Sequence, residues 1–185
     1  VICYIAISKI GAIISPVPVQ YGQHELHHIS KTLCPVAIVS MPYFGSLPLG
    51  ETAAAIAQDE IQLLLFGSEL DIESADMSDY QQQLKAYEQD HPTSADNIVT
   101  ICWTSGTTGT PKGVPRSHNM WIATARCCAE AGNYQTEDRF LNIFPLVNMA
   151  SVGGFLYPAL MLGCSLILHH PLDPSLYLTQ LQDEK

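Results

Sequence analysis

Within ten consecutive residues, Thr104-Ser105-Gly106-Thr107-Thr108-Gly109-Thr110-Pro111-Lys112-Gly113, the chain gathers five hydroxyl side chains, three glycines and one lysine. The glycines permit positive φ and let a ligand approach the main chain closely. Successive N–H groups in such a turn form a concave anion nest, and the hydroxyls add donors that rotate to meet phosphate oxygens. Lys112 supplies a compact cation, and Pro111 stiffens the chain just before it. Hydrogen bonds to a charged group contribute about 1.5–3 kcal/mol each, so three or four of them with the lysine suffice to hold a triphosphate. The run is not the G-x-x-x-x-G-K-[ST] phosphate loop. Counted from Gly106, the second glycine position holds Pro111, and Lys112 is followed by Gly113. A kinase or GTPase of that type is thereby disfavoured. So is a plain Ser/Gly linker, because the run follows a buried-strand pattern directly.

That strand spans 98–103 and is rich in β-branched and aromatic residues. After the loop, Ser117 is a plausible N-cap for a helix reaching about Ala131, with Trp121, Ala125, Cys128 and Gly132 at helical spacing. Upstream, the patterns predict helices at 2–10, 23–33, 51–57 and 81–89, with strands at 36–39 and 62–66. An extended stretch covers 12–19, and polar loops cover 68–78 and 91–94. Downstream, a strand at 140–144 precedes a helix at 151–162 closed by Gly163, then a strand at 165–168. Asp173-Pro174 opens a last helix, with Asp as N-cap and Pro at the first helical position. Strands separated by helical patterns imply an α/β fold, a layered βαβ-type sheet with helices.

The 185 residues suffice for one domain with a core, and 47% hydrophobic against 14% charged residues favours a folded chain. A formal net charge of -10 argues against nucleic acid as a partner, because phosphate backbones demand Lys and Arg. Ten of the acidic residues fall between Asp59 and Asp96 and read as a solvated face. Anion binding must then come from local N–H groups and one or two placed cations. The six cysteines show no C-x-x-C pair, so a zinc site or disulfide framework is not expected and a reducing, cytoplasmic compartment fits. The apolar opening at 1–19 is broken by Ser8, Lys9, Ser15, Pro16 and Pro18, which argues against a signal or an integral membrane span. The chain starts and stops inside helical patterns, as expected of an internal fragment truncated at both ends.

The decapeptide at 104–113 matches without a mismatch the signature loop of the adenylate-forming superfamily, which includes acyl-CoA synthetases, nonribosomal-peptide adenylation domains and firefly-type luciferases. The flanks are similar as well: Ser8-Lys9-Ile10-Gly11-Ala12 with Pro16-Val17 upstream, and Gly113-Val114 with Ser117-His118 after the loop. Phe144-Pro145-Leu146, Gly153-Gly154 and Leu162-Gly163-Cys164 continue the likeness, so nearly the whole chain is covered. The resemblance implies residues 1–185 as a partial AMP-binding N-terminal domain of a carboxylic acid–CoA ligase, with the C-terminal domain absent. It implies that a carboxylic acid attacks ATP to give an acyl-adenylate and pyrophosphate, and that CoA then takes the acyl group, as in fatty acid metabolism. The alternatives are an adenylation domain loading a carrier protein, or a non-catalytic truncated homologue. In the implied site, Thr104, Ser105, Thr107 and Thr108 donate hydroxyls, Gly106 and Gly109 donate backbone N–H groups, and Lys112 supplies charge. Thr104 and Lys112 are the catalytic candidates. The family's Mg²⁺ ligand, adenine and ribose contacts and C-terminal lysine would lie downstream, so the isolated chain is expected to be catalytically inert.

Two positions bear on the acid substrate. Asn148 stands where most relatives have His, and unlike His it does not titrate near neutral pH. His118 follows the loop closely and is either a ligand contact or simply a helix-start residue. Pro115-Arg116-Ser117-His118 resembles a variant found among aryl-acid adenylating enzymes. Other candidates have plainer readings. His24, His27 and His28 share a helix face, which is a solvated face more readily than a metal site. His169-His170 ends a strand and reads as a sheet edge. Cys127 and Cys128 lack a sign of a nearby base, and Trp103 and Trp121 read as core anchors.

Overall fold

The computed structural model describes residues 1–58, 61–67, 77–104, 110–169 and 171–183. In chain order the elements are α1 (Ile2–Lys9), α2 (Gln23–Leu33), β1 (Ala37–Ser40), α3 (Leu49–Ala57), β2 (Gln62–Leu65) and α4 (Met77–Asp90). They continue with β3 (Ile98–Thr104), β4 (Lys112–Ser117), α5 (His118–Gly132) and β5 (Arg139–Asn142). A helix follows in three parts: α6 (Met149–Ser151), a π-helical turn (Val152–Leu156) and α7 (Tyr157–Leu162). β6 (Ser165–Leu168) and α8 (Pro174–Asp183) end the series. The fold is thus α/β, and it divides into two units. One comprises 1–16, 84–104 and 113–185, and the other 17–83 and 105–112.

The second unit is a small βαβ arrangement. β1 and β2 pair in parallel with Ala37 opposite Gln62 and Ser40 opposite Leu65, and α3 is the crossover that packs on both strands. Its buried residues are small, Ala53 and Ala57, joined by Ile29 from α2. Gly50 lets α3 begin directly on the preceding turn, since a Cβ there would stand 3.0 Å from Pro42 Cα. α2 starts at Gly22, whose N–H donates to Glu25 Oε2 at 3.0 Å.

The first unit holds the larger core, formed by Ile14, Val99, Cys102, Trp121 and Val152. β3 lies at its centre. Ile14 runs beside it in parallel, donating to Val99 O at 2.8 Å and accepting from Ile101 N at 2.9 Å. β5 and β6 form a second parallel pair, with the three-part helix as their connection. This helix contains Pro158, which has no N–H and would press its ring on the carbonyl four residues back in a regular α-helix. The preceding turn widens to π geometry instead, through Gly153 and Gly154, and the helix continues.

Most sequence expectations match these elements, and the differences have local causes. The strand expected at 140–144 stops at Asn142, because its Oδ1 accepts the Phe144 N–H at 3.0 Å and turns the chain. α4 begins at Met77, inside the stretch read as a polar loop, whose residues 68–76 lie outside the described ones. β4 is an element that the sequence patterns did not announce, since Gly113 and Pro115 both depress strand propensity. No helix among the described residues is long and apolar enough to cross a membrane. The described part of the acidic stretch is largely exposed, and Glu88 stands 3.9 Å from Lys9. An exposed pair of this kind adds little stability.

Tyr4 ties α1 to the turn before α6, its hydroxyl donating to Leu146 O at 2.9 Å. Burial, with Cys102 and Tyr157 adding, pushes this phenol above its ordinary value of 10.0. A raised folded-state pKa gives stability that is fully present below about pH 10 and is lost as the pH climbs beyond it. Tyr4→Phe should therefore cost about 1 kcal/mol at neutral pH and flatten the alkaline decline of Tm. Burial raises Tyr157 likewise, so the slope should shrink without vanishing. A Tm series from pH 8 to 11 reads both effects, and an unchanged slope would refute the assignment.

Candidate functional site

The expected phosphate loop is carried between two paired strands. Thr104 is the last residue of β3 and Lys112 the first of β4, and both side chains are exposed. Ser105, Gly106, Thr107, Thr108 and Gly109 lie outside the described residues. Pro111 is buried just ahead of Lys112. Gly113 has a packing reason of its own. A Cβ there would meet Ile101 Cγ2 at 2.9 Å and Trp103 Cη2 at 3.4 Å, so only glycine lets β4 lie this close on β3.

Past the loop, β4 passes into α5 at Ser117, whose Oγ accepts the Met120 N–H at 3.3 Å, as a Ser N-cap should. His118 is then the first residue of α5 and is half-buried. Its neighbour Asn119 anchors the helix start, its backbone N–H donating to Ala95 O at 2.9 Å and its Nδ2 to Asp96 Oδ1 at 2.7 Å. One turn on, Trp121 is fully buried, and its Nε1 donates to Thr100 Oγ1 on β3 at 2.8 Å. Trp103 is only half-buried and donates to Ser15 Oγ at 2.8 Å. Both tryptophans therefore serve as anchors.

Asn148 is exposed and caps the three-part helix, its Oδ1 accepting the Ala150 N–H at 2.8 Å. Asn148 is thus a helix cap in this chain, with an amide NH₂ that can still donate. One residue not singled out in the sequence holds this region. Asn142 is buried and donates from Nδ2 to Ser151 Oγ at 2.6 Å, while its Oδ1 takes the Phe144 N–H. Together these bonds fix both ends of the 144–151 turn. Gly153 brings the π turn against α5, since a Cβ would stand 2.8 Å from Thr124 Cγ2 and 3.2 Å from Trp121 Cζ3.

Arg116 belongs to the same neighbourhood. Its Cζ lies 5.6 Å from the Trp121 ring centroid, and its Nη2 is 3.6 Å from Met149 Sδ. Burial pushes the Cys102 thiol up, against the opposing pull of the Thr100 hydroxyl and the Arg116 charge. Arg116, Trp121, Asn148 and Met149 thus come from β4, α5 and the cap and first turn of the three-part helix. The histidines behave otherwise. His24 and His27 are exposed. His169 directly follows β6, its backbone N–H donating to Asn142 O at 2.9 Å, and its buried side chain, bonded to Gln180 Oε1 and accepting the Asp173 N–H at Nε2, also straps α8. Among the described residues no group of three or more His, Cys, Asp or Glu could hold a metal ion.

A family model described as AMP-binding enzyme matches residues 1–185. The chain belongs to the AMP-binding enzyme family. It is 26% identical over 181 residues to a feruloyl-CoA synthase of an Amycolatopsis species, covering 97% of this chain and 33% of the synthase. It is 32% identical over 103 residues to the 2-succinylbenzoate–CoA ligase of Enterococcus faecalis, covering 56% of this chain and 21% of the ligase. The solved Bacillus subtilis o-succinylbenzoate CoA synthetase, in complex with its acyl-adenylate intermediate, shares the fold at a TM-score of 0.72. That match has 16% identity and covers 98% of this chain and 43% of the synthetase. The chain thus spans about a third of the length of the feruloyl-CoA synthase that it matches over 97% of its own length.

Proposed function

We propose that residues 1–185 form the phosphate-loop portion of the N-terminal domain of an ATP-dependent carboxylic acid–CoA ligase. The observation that carries this reading is the family match over 1–185 together with an unbroken 104–113 signature at the junction of two paired strands. In the first step, a carboxylate oxygen bonds to the α-phosphorus of ATP. The α-phosphorus bond to the bridging oxygen breaks, and its electron pair leaves on pyrophosphate. Hydroxyls of Thr104, Ser105, Thr107 and Thr108, N–H groups of Gly106 and Gly109, and the Lys112 ammonium hold the β- and γ-phosphates and stabilise that charge. In the second step, a thiolate attacks the acyl carbonyl, forming a thioester and releasing AMP.

The relatives' names, feruloyl-CoA synthase and 2-succinylbenzoate–CoA ligase, favour CoA over a carrier protein as acceptor. His118 and Asn148 are assigned to the acid side. The Mg²⁺ ligand is assigned to the family's downstream segment, outside residues 1–185. Six free cysteines support a reducing, cytoplasmic setting.

The test is pyrophosphate exchange into ATP by the full-length protein across a panel of carboxylic acids. Exchange that depends on an added acid is expected. Its absence with every acid would overturn the ligase reading.

A further inference from the structure

A guanidinium carries five N–H donors and a permanent charge, and removing such a charge from water is costly unless acceptors replace the water. Arg116, on β4, is half-buried against the first turn of the three-part helix. The indole face of Trp121 lies under it, and Nη2 reaches the thioether of Met149. Thioether sulfur is a weak acceptor. Nε is buried and has no hydrogen-bond partner among the described residues, nor does Arg116 form an ion pair with any of them. Indole and thioether fix the direction of the planar fork without neutralising it. Met149, whose sulfur meets the tip, is itself 38% exposed, so the charge sits where solvent and solutes reach.

We infer that Arg116 determines acid specificity, taking a second carboxylate of the substrate, so that the protein prefers dicarboxylic acids or similar dianions. This deepens the ligase reading and rests on it, because Asn148, the residue before Met149 in the chain, is assigned there to the acid side. A planar fork accepts a carboxylate through two parallel N–H···O bonds. The chain needs such a local cation, because its net charge of -10 repels dianions generally. A plain cation–π staple between Arg116 and Trp121 makes the opposite prediction: loss of stability on substitution, with no change in acid preference.

The experiment is calorimetric binding of length-matched mono- and dicarboxylic acids, aliphatic and aromatic, to the full-length protein. In at least one pair the dianion should bind about tenfold more tightly, as expected for one charge-assisted contact. Arg116→Met, which keeps an apolar stem over Trp121, should abolish that advantage, and Arg116→Lys should restore part of it. ATP affinity should stay within twofold in both variants. Equal affinity within every pair for the wild type overturns the inference, whether or not the variants fold. An advantage that survives Arg116→Met, or a matching loss of ATP affinity that assigns the fork to a phosphate, overturns it too. Binding is read without turnover, so an inactive protein that still prefers dianions through Arg116 sinks only the ligase reading.

Discussion

Trp121→Ala is expected to destabilise the protein by about 3–5 kcal/mol, the cost of truncating a fully buried large aromatic side chain. Three further losses come with it. Thr100, itself buried, loses the 2.8 Å hydrogen bond from Nε1. Tyr157 loses a stacking partner at 5.8 Å, and Arg116 loses the surface on which it lies. With total stabilities of about 5–15 kcal/mol usual for domains, a drop in Tm of about 10 °C or more should follow. Trp121→Phe separates the contributions, since it keeps most of the packing and removes only the N–H donor. It should cost about 1–3 kcal/mol, mainly through the buried hydroxyl of Thr100. A Tm for Trp121→Ala within 2–3 °C of wild type, on the order of 1 kcal/mol for a chain of this size, would show that the core is not organised around this residue.

The second large effect belongs to the loop. Lys112→Ala should lower acid-dependent pyrophosphate exchange by roughly tenfold to a hundredfold, the equivalent of one charge-assisted contact. Tm should hardly move, because the side chain is exposed at the first residue of β4. Lys112→Arg should recover part of the loss, since charge is kept while the compact ammonium is not. Exchange unchanged in Lys112→Ala would remove the lysine from the mechanism, and a large fall in Tm would make it a structural residue instead.

Residues that act through local chemistry were the legible ones. Ser117 and Asp173 each cap a helix as their type and place required, and Gly163 ends α7 with a φ of 72°. The parallel pairings of β1 with β2 and β5 with β6 follow from the helices between them. What escaped depends on contacts distant in sequence. β4 is a strand because Gly113 fits against Ile101 and Trp103, a matter of space on β3 that local propensity does not encode. Asn142 looks like an ordinary strand residue until Ser151 folds back to it. Arg116 read as part of a motif variant, and its unmatched Nε donor emerges only with Trp121 and Met149 around it. For the loop itself, the sequence remains the fuller source, since residues 105–109 lie outside the described ones.

The uneven distribution of bulk between the two units has a thermodynamic consequence. The first unit is built around tryptophan, isoleucine and valine, whereas among the described residues the second buries chiefly two alanines and one isoleucine under a two-stranded ladder. Two parallel strands with so little apolar cover are marginal by themselves, so their amide hydrogens should exchange with solvent at lower free energy than those of β3. A single unfolding free energy would then misdescribe this chain. Lys112 groups with this weaker unit and Thr104 with the first, so the two described residues assigned to phosphate should differ in how readily their surroundings open.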